Sequence, residues 1–207
     1  MKILTGREEL KSMTDTDKED KELEWQEVKC EHLVTDEWID IRRSAYRFPD
    51  GTVFEPFYSY SRRNYVVIVA TDENGDYLCV RQYRQGIGRV TTEFVAGGIE
   101  RTDGRQYGGV DGAEDALDAA KRELAEETGY ESDEWRFLIT IPSNATIADN
   151  YAYIYEAKNC RKVSGQSLDS TEFLNVKKYS REGIEELIKE GKFPQSMHVL
   201  AYLLATR

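Results

Sequence analysis

The stretch 114–129 constrains this chain more than any other, because it encodes one helix with an unusual cargo. Ala116, Leu117, Ala120 and Leu124 recur at helical spacing, and Gly129 stands where a left-handed stop belongs. On the same helix Glu123, Glu126 and Glu127 lie three and four residues apart, so their carboxylates share one face, opposite or beside the apolar stripe. Like charges at that spacing weaken an isolated helix. A hard divalent cation taking oxygen ligands offsets the repulsion economically, and Mg2+ or Mn2+ is the expected cofactor. A solvated glutamate-rich face would account for the carboxylates alone. It would not account for Glu114 standing eight residues before Arg122, or for the glycine directly after the helix.

Around this helix the chain reads as a polar tail over 1–24, a β-rich region over 25–62 and a domain over 63–207 that carries the glutamate helix. Short β-type runs such as Trp38-Ile39-Asp40-Ile41 are interrupted by the turn chemistry of Pro49-Asp50-Gly51. Strands are expected at 65–70 and 77–80, joined by Asn74-Gly75, and at 91–95. A glycine-rich polar loop fills 101–112. Beyond the helix, strands are expected at 135–141, 151–155 and 173–176, and helices at 181–189 and 195–205. No internal repeat emerges.

The net charge of −11 argues against non-specific binding to nucleic acid or to an anionic membrane, so positive charge for a phosphate must be local or come from metal. No segment approaches the roughly 20 apolar residues of a membrane span, and the N-terminus lacks an apolar signal stretch. Cys30, Cys79 and Cys160 are odd in number and widely spaced, with neither a zinc pattern nor a disulfide scaffold, which fits a cytoplasmic location.

Gly108, Glu114 and the run Arg122-Glu123-Leu124-Ala125-Glu126-Glu127-Thr128-Gly129-Tyr130 resemble the signature of the Nudix hydrolase family. Upstream, Gln82-Tyr83-Arg84 and Glu93-Phe94-Val95-Ala96-Gly97 resemble the ADP-ribose pyrophosphatase branch of that family. The resemblance implies an α/β fold, a Nudix-type α/β/α sandwich with a mixed sheet, preceded by a small antiparallel β region. It implies metal-dependent cleavage of a nucleoside diphosphate conjugate, ADP-ribose giving AMP and ribose 5-phosphate. Metal falls to Glu123, Glu127 and the carbonyl of Ala96, and Arg122 supports the glutamates. Substrate contacts fall to Arg84 and Glu93; Arg84 also reads physically as a fixed planar cation suited to diphosphate oxygens. Trp38 stands where such members stack adenine, with Phe57 or Tyr58 as its partner, and the β region is exchanged in a homodimer. The general base is Glu172, in Asp169-Ser170-Thr171-Glu172-Phe173, or Glu126. Neither His32 nor His198 lies in a motif suggesting a nucleophile.

The chain departs from the branch in three places. About eleven residues stand between Gly97 and Glu114 beyond the usual spacing, which makes Gly108 a chance match inside a loop edging the site. Val95 replaces a proline, and Pro142-Ser143-Asn144-Ala145 replaces Ser-Pro-Gly, with Asn150 near a position often acidic. Hydrolysis of another conjugate, such as a nucleotide sugar, and a Nudix-fold sensor that binds without cleaving stay open as alternatives.

Overall fold

Alternating side chains and a tight turn build the first strands, β1 (Gln26–Thr35), β2 (Asp40–Arg47) and β3 (Val53–Ser61), into an antiparallel sheet in that order. The structure, a computed structural model, describes residues 20–101, 107 and 113–207. Most of the expected tail and loop, Gly108 included, therefore lies outside the described residues. The chain forms two compact units, the first drawn from 1–64, 100–113 and 140–151, the second from 65–99, 114–139 and 152–207.

In the first unit the Pro49-Asp50-Gly51 turn closes as its residues dictate. Gly51 takes φ 87° and donates its N–H to the Phe48 carbonyl at 2.9 Å, while the Asp50 carboxylate accepts from the Thr52 N–H at 2.9 Å. Trp25, Tyr46, Phe48, Phe54 and Phe57 then gather on the sheet as an aromatic cluster, with ring centroids 4.5 to 6.4 Å apart. β1 is exposed along its whole length. The loop after β1 is closed by Asp36, whose carboxylate accepts from the backbone N–H groups of Trp38 and Ile39 at 2.8 and 2.9 Å.

The second unit holds β4 (Tyr65–Asp72), β5 (Tyr77–Arg84), β6 (Arg89–Gly98), α1 (Ala116–Thr128), β7 (Tyr130–Glu131), β8 (from Glu134), β9 (to Lys162), β10 (Leu174–Tyr179), α2 (Arg181–Lys189) and α3 (Ser196–Ala205). The sheet order is β10-β5-β6-β4-β9-β7, with β8 on β9. It is mixed, because β4 runs parallel to β9 and antiparallel to β6. The apolar run becomes the central strand: Val66 to Ala70 are all buried, as a strand covered on both faces requires. Two positions of β6 show the cover. Phe94 packs its ring on Phe193 and His198, while Gly97, of opposite parity, meets Glu123 of α1. Helices thus lie on both faces, and the fold class is the α/β expected.

Boundaries moved for local reasons. The helix begins at Ala116 rather than 114 because Asp115 is its N-cap, accepting the Leu117 N–H at 2.8 Å. Gly129 ends it in the left-handed region, φ 73°, donating its N–H to the Ala125 carbonyl at 2.8 Å. The strand expected at 173–176 runs Leu174–Tyr179 and leaves Phe173 exposed, since residues 169–172 form a turn first.

Candidate active site

The buried face of α1 is Ala119, Ala120, Glu123, Leu124, Glu127 and Thr128. Two of the three box glutamates therefore sit within the packed face, while Glu126 stays partly exposed. Burial of carboxylates needs a partner, and the helix supplies only some. Arg122 donates to Glu123 at 2.9 Å, to Glu126 at 3.0 Å, to Glu114 at 2.7 Å and to the Gly98 carbonyl at 3.0 Å. It ties the helix at once to the end of β6 and to Glu114, two residues ahead of the helix. Its own pKa is raised, burial being outweighed by Glu114 and Glu123.

Glu127 has no such grip. Its Oε2 is buried without a hydrogen-bond partner. One carboxylate oxygen from each of Glu123, Glu127 and Glu172 lies within 4.8 Å of the others. Burial, opposed by Arg122 and reinforced by Glu126 and Glu172, lifts Glu123 to about 7. Burial and the charges of Glu123 and Glu172 push Glu127 well above the ordinary carboxylate range, a backbone hydrogen bond from Ala96 offsetting this in part. Three converging hard oxygens, on carboxylates of which Glu127 keeps an unpartnered buried oxygen, are a donor set that fits a divalent cation. The family resemblance offers Glu172 or Glu126 as the base; the structure brings Glu172 into the carboxylate cluster itself.

Gly97 permits this arrangement. A Cβ there would lie 1.9 Å from the Glu123 carboxyl carbon, so any side chain would displace that carboxylate. The Ala96-Gly97 pair thus presses backbone against the box glutamates, a close approach whose one signal in the sequence is the glycine after Ala96.

On the neighbouring strands, Arg84 donates from Nε to both Glu93 oxygens at 2.9 and 3.0 Å and from Nη2 to one of them. The Thr91 hydroxyl donates to the same carboxylate. Glu93 is 0% exposed. Burial would raise its pKa, but the hydrogen bonds from Arg84 and Thr91 hold it below the usual range. Arg84, a third exposed, is the member of the pair that solvent reaches. Trp38 is 61% exposed, in the first unit. Phe57 packs edge-on against Tyr46 and Phe54, while Tyr58 is 52% exposed.

Comparison with known proteins identifies the family. Residues 61–197 match the family model of the NUDIX domain. The chain is 27% identical over 175 residues to the methanol dehydrogenase activator of Bacillus methanolicus, covering 84% of this chain and 88% of that protein. It is 31% identical over 147 residues to an ADP-ribose pyrophosphatase of Mycobacterium tuberculosis (strain ATCC 25618 / H37Rv), covering 69% of this chain and 63% of that one. It is 24% identical over 170 residues to an ADP-ribose pyrophosphatase of Bacillus subtilis (strain 168), covering 82% and 85%. A crystal structure of an ADP compounds hydrolase superposes with a TM-score of 0.73 at 19% identity, covering 88% of this chain and 92% of that one. With the family model spanning more than half its length and the glutamate box complete, the chain belongs to the Nudix family and is a pyrophosphohydrolase of that family.

Proposed function

We propose that the protein hydrolyses the pyrophosphate bond of a nucleoside diphosphate conjugate, ADP-ribose foremost, giving AMP and ribose 5-phosphate. The observation that carries this reading is the convergence of Glu123, Glu127 and Glu172 beside a buried Glu93 that holds Arg84. Glu123, Glu127 and the Ala96 carbonyl are the groups that would hold Mg2+ or Mn2+. When bound, a divalent cation neutralises diphosphate charge and acidifies a water. Glu172 takes the proton of the attacking water, and Glu126, more exposed and paired with Arg122, is the second candidate for that role. Arg122 keeps the carboxylates in register rather than meeting substrate.

Arg84 offers its guanidinium to the diphosphate oxygens while Glu93 fixes its plane. Because Glu93 is wholly buried, its substrate role runs through Arg84. Trp38 is the proposed stacking residue for the base, with its backbone pinned by Asp36 and its ring in solvent. Tyr58 suits the partner role better than Phe57, whose ring is engaged by its aromatic neighbours. The same reading takes the protein as a cytoplasmic homodimer exchanging its N-terminal β region; three unpaired cysteines agree with a reducing compartment. Among the described residues no helix is long and apolar enough to cross a membrane.

The test is product analysis with purified protein and Mg2+ over ADP-ribose, nucleotide sugars, dinucleotides and nucleoside triphosphates. AMP released from ADP-ribose at the highest kcat/KM supports the reading. Preference for another diphosphate replaces the substrate and keeps the chemistry, and nucleotide binding with no turnover on any of them replaces the enzyme by a sensor.

A further inference from the structure

A helix ends with carbonyls that no helical N–H can reach. At the end of α1 the donors come from a loop some 35 residues further along. Val163 and Ser164 donate their N–H groups to the Gly129 carbonyl at 2.9 and 3.2 Å, and Ser167 donates its N–H to the Glu126 carbonyl at 2.9 Å. Gln166 donates from its side-chain Nε2 to the Glu127 carbonyl at 2.7 Å. The approach is close: a Cβ on Gly129 would lie 2.3 Å from the Ser164 carbonyl oxygen.

The same loop leads directly to Glu172. Residues 169–172 close on themselves, with the Glu172 N–H donating to the Asp169 carbonyl at 3.0 Å and the Asp169 N–H donating to the Glu172 carboxylate at 3.0 Å. Leu168 alone separates this turn from Ser167. Little slack therefore remains between the clasp on the helix end and the carboxylate that joins Glu123 and Glu127.

The geometry points to Gln166 as a positioning residue for Glu172. By tying the backbone of Glu127 to the loop, it sets the separation between a carboxylate on the helix and a carboxylate on the loop. This inference rests on the reading above, in which Glu172 serves the attacking water. The other clasp bonds come from backbone, so Gln166 is the donor that substitution can remove, and its exposure lets it be replaced without disturbing the core. A base must stand within hydrogen-bond reach of its proton, and a displacement of about 1 Å costs on the order of 100-fold in rate. With three backbone bonds left in place, the expected loss is about 10-fold.

Gln166→Glu and Gln166→Met keep the side chain's length and remove its N–H. Both are compared with wild type and Glu172→Gln in steady-state kinetics with ADP-ribose and Mg2+, in thermal melts, in calorimetric Mn2+ titration, and in amide hydrogen exchange over 163–172. The expected result is a kcat about 10-fold lower with KM, melting temperature and Mn2+ affinity unchanged, and faster exchange at Ser167, Asp169 and Glu172. Unchanged kcat with unchanged exchange overturns the inference, as does a kcat loss that merely follows a lowered melting temperature. Full activity in Glu172→Gln removes the base assignment instead, and the exchange rates still decide whether Gln166 holds the loop.

Discussion

Glu127 shows how a single side chain can be stabilising for function and costly for the fold. It is buried, one oxygen is unpartnered, and two further carboxylates crowd it. An amide of the same shape carries no charge and can donate to those neighbours. Glu127→Gln should therefore raise the stability of the metal-free protein at pH 7 by about 1 kcal/mol, a melting-temperature gain of a few degrees. Saturating Mg2+ reverses the order, since a ligand of the native state stabilises wild type and not the variant. Hydrolysis by the variant falls by more than about 100-fold. Calorimetric melts with and without Mg2+ check this; a variant less stable than wild type without the ion would show that the buried charge is compensated by a group other than metal.

At the scale of elements, α1 was the most legible part of the chain, because helical spacing, capping chemistry and the box all coincide in one continuous stretch. Its face was less legible. The sequence allowed the carboxylates to lie opposite or beside the apolar stripe, and only packing against β6 shows Glu123 and Glu127 inside it, where Gly97 leaves room. The role of Glu93 was hidden likewise, since burial to zero exposure is a property of the closed sheet and not of its own strand. Gln166 gave no signal at all: it lies in a polar loop whose only message is the helix end it meets. That helix end carries its own expectation. Gly129→Ala combines φ 73° with a contact to the Ser164 backbone that cannot rotate away. We expect a loss of about 2 kcal/mol or more in denaturant unfolding, accompanied by reduced kcat as the loop is pushed off. A loss below about 0.5 kcal/mol would mean that the loop yields freely.

Across the whole molecule, pH acts through groups that burial has shifted in opposite directions. His198 is buried, accepts the Phe94 N–H at Nδ1 at 3.1 Å, and is held neutral by desolvation, its pKa lowered from 6.5 to about 4. A histidine depressed in the folded state contributes stability that is complete above 6.5 and is lost as the pH falls towards 4, here about 3 kcal/mol. Glu123, raised to about 7, works against this, because its folded form gains a proton first as the pH falls from 7 to 4.5. Comparing wild type with His198→Asn cancels the carboxylates. Asparagine can accept the Phe94 N–H without titrating, so wild type's stability advantage should shrink by about 3 kcal/mol between pH 7 and pH 4. A constant difference in urea unfolding would show that His198 is not held neutral. The parallel pairing of β4 with β9 adds a consequence of another kind. It joins residues 65–72 to residues 152–160, and Glu172 follows later still. The centre of the sheet therefore cannot close until most of the second unit's chain is present, and such sequence-distant pairing slows folding. During synthesis the box helix emerges well before the strand that completes its support, so the carboxylate cluster is among the last features to be assembled, and a prematurely ended chain would carry the signature without the site.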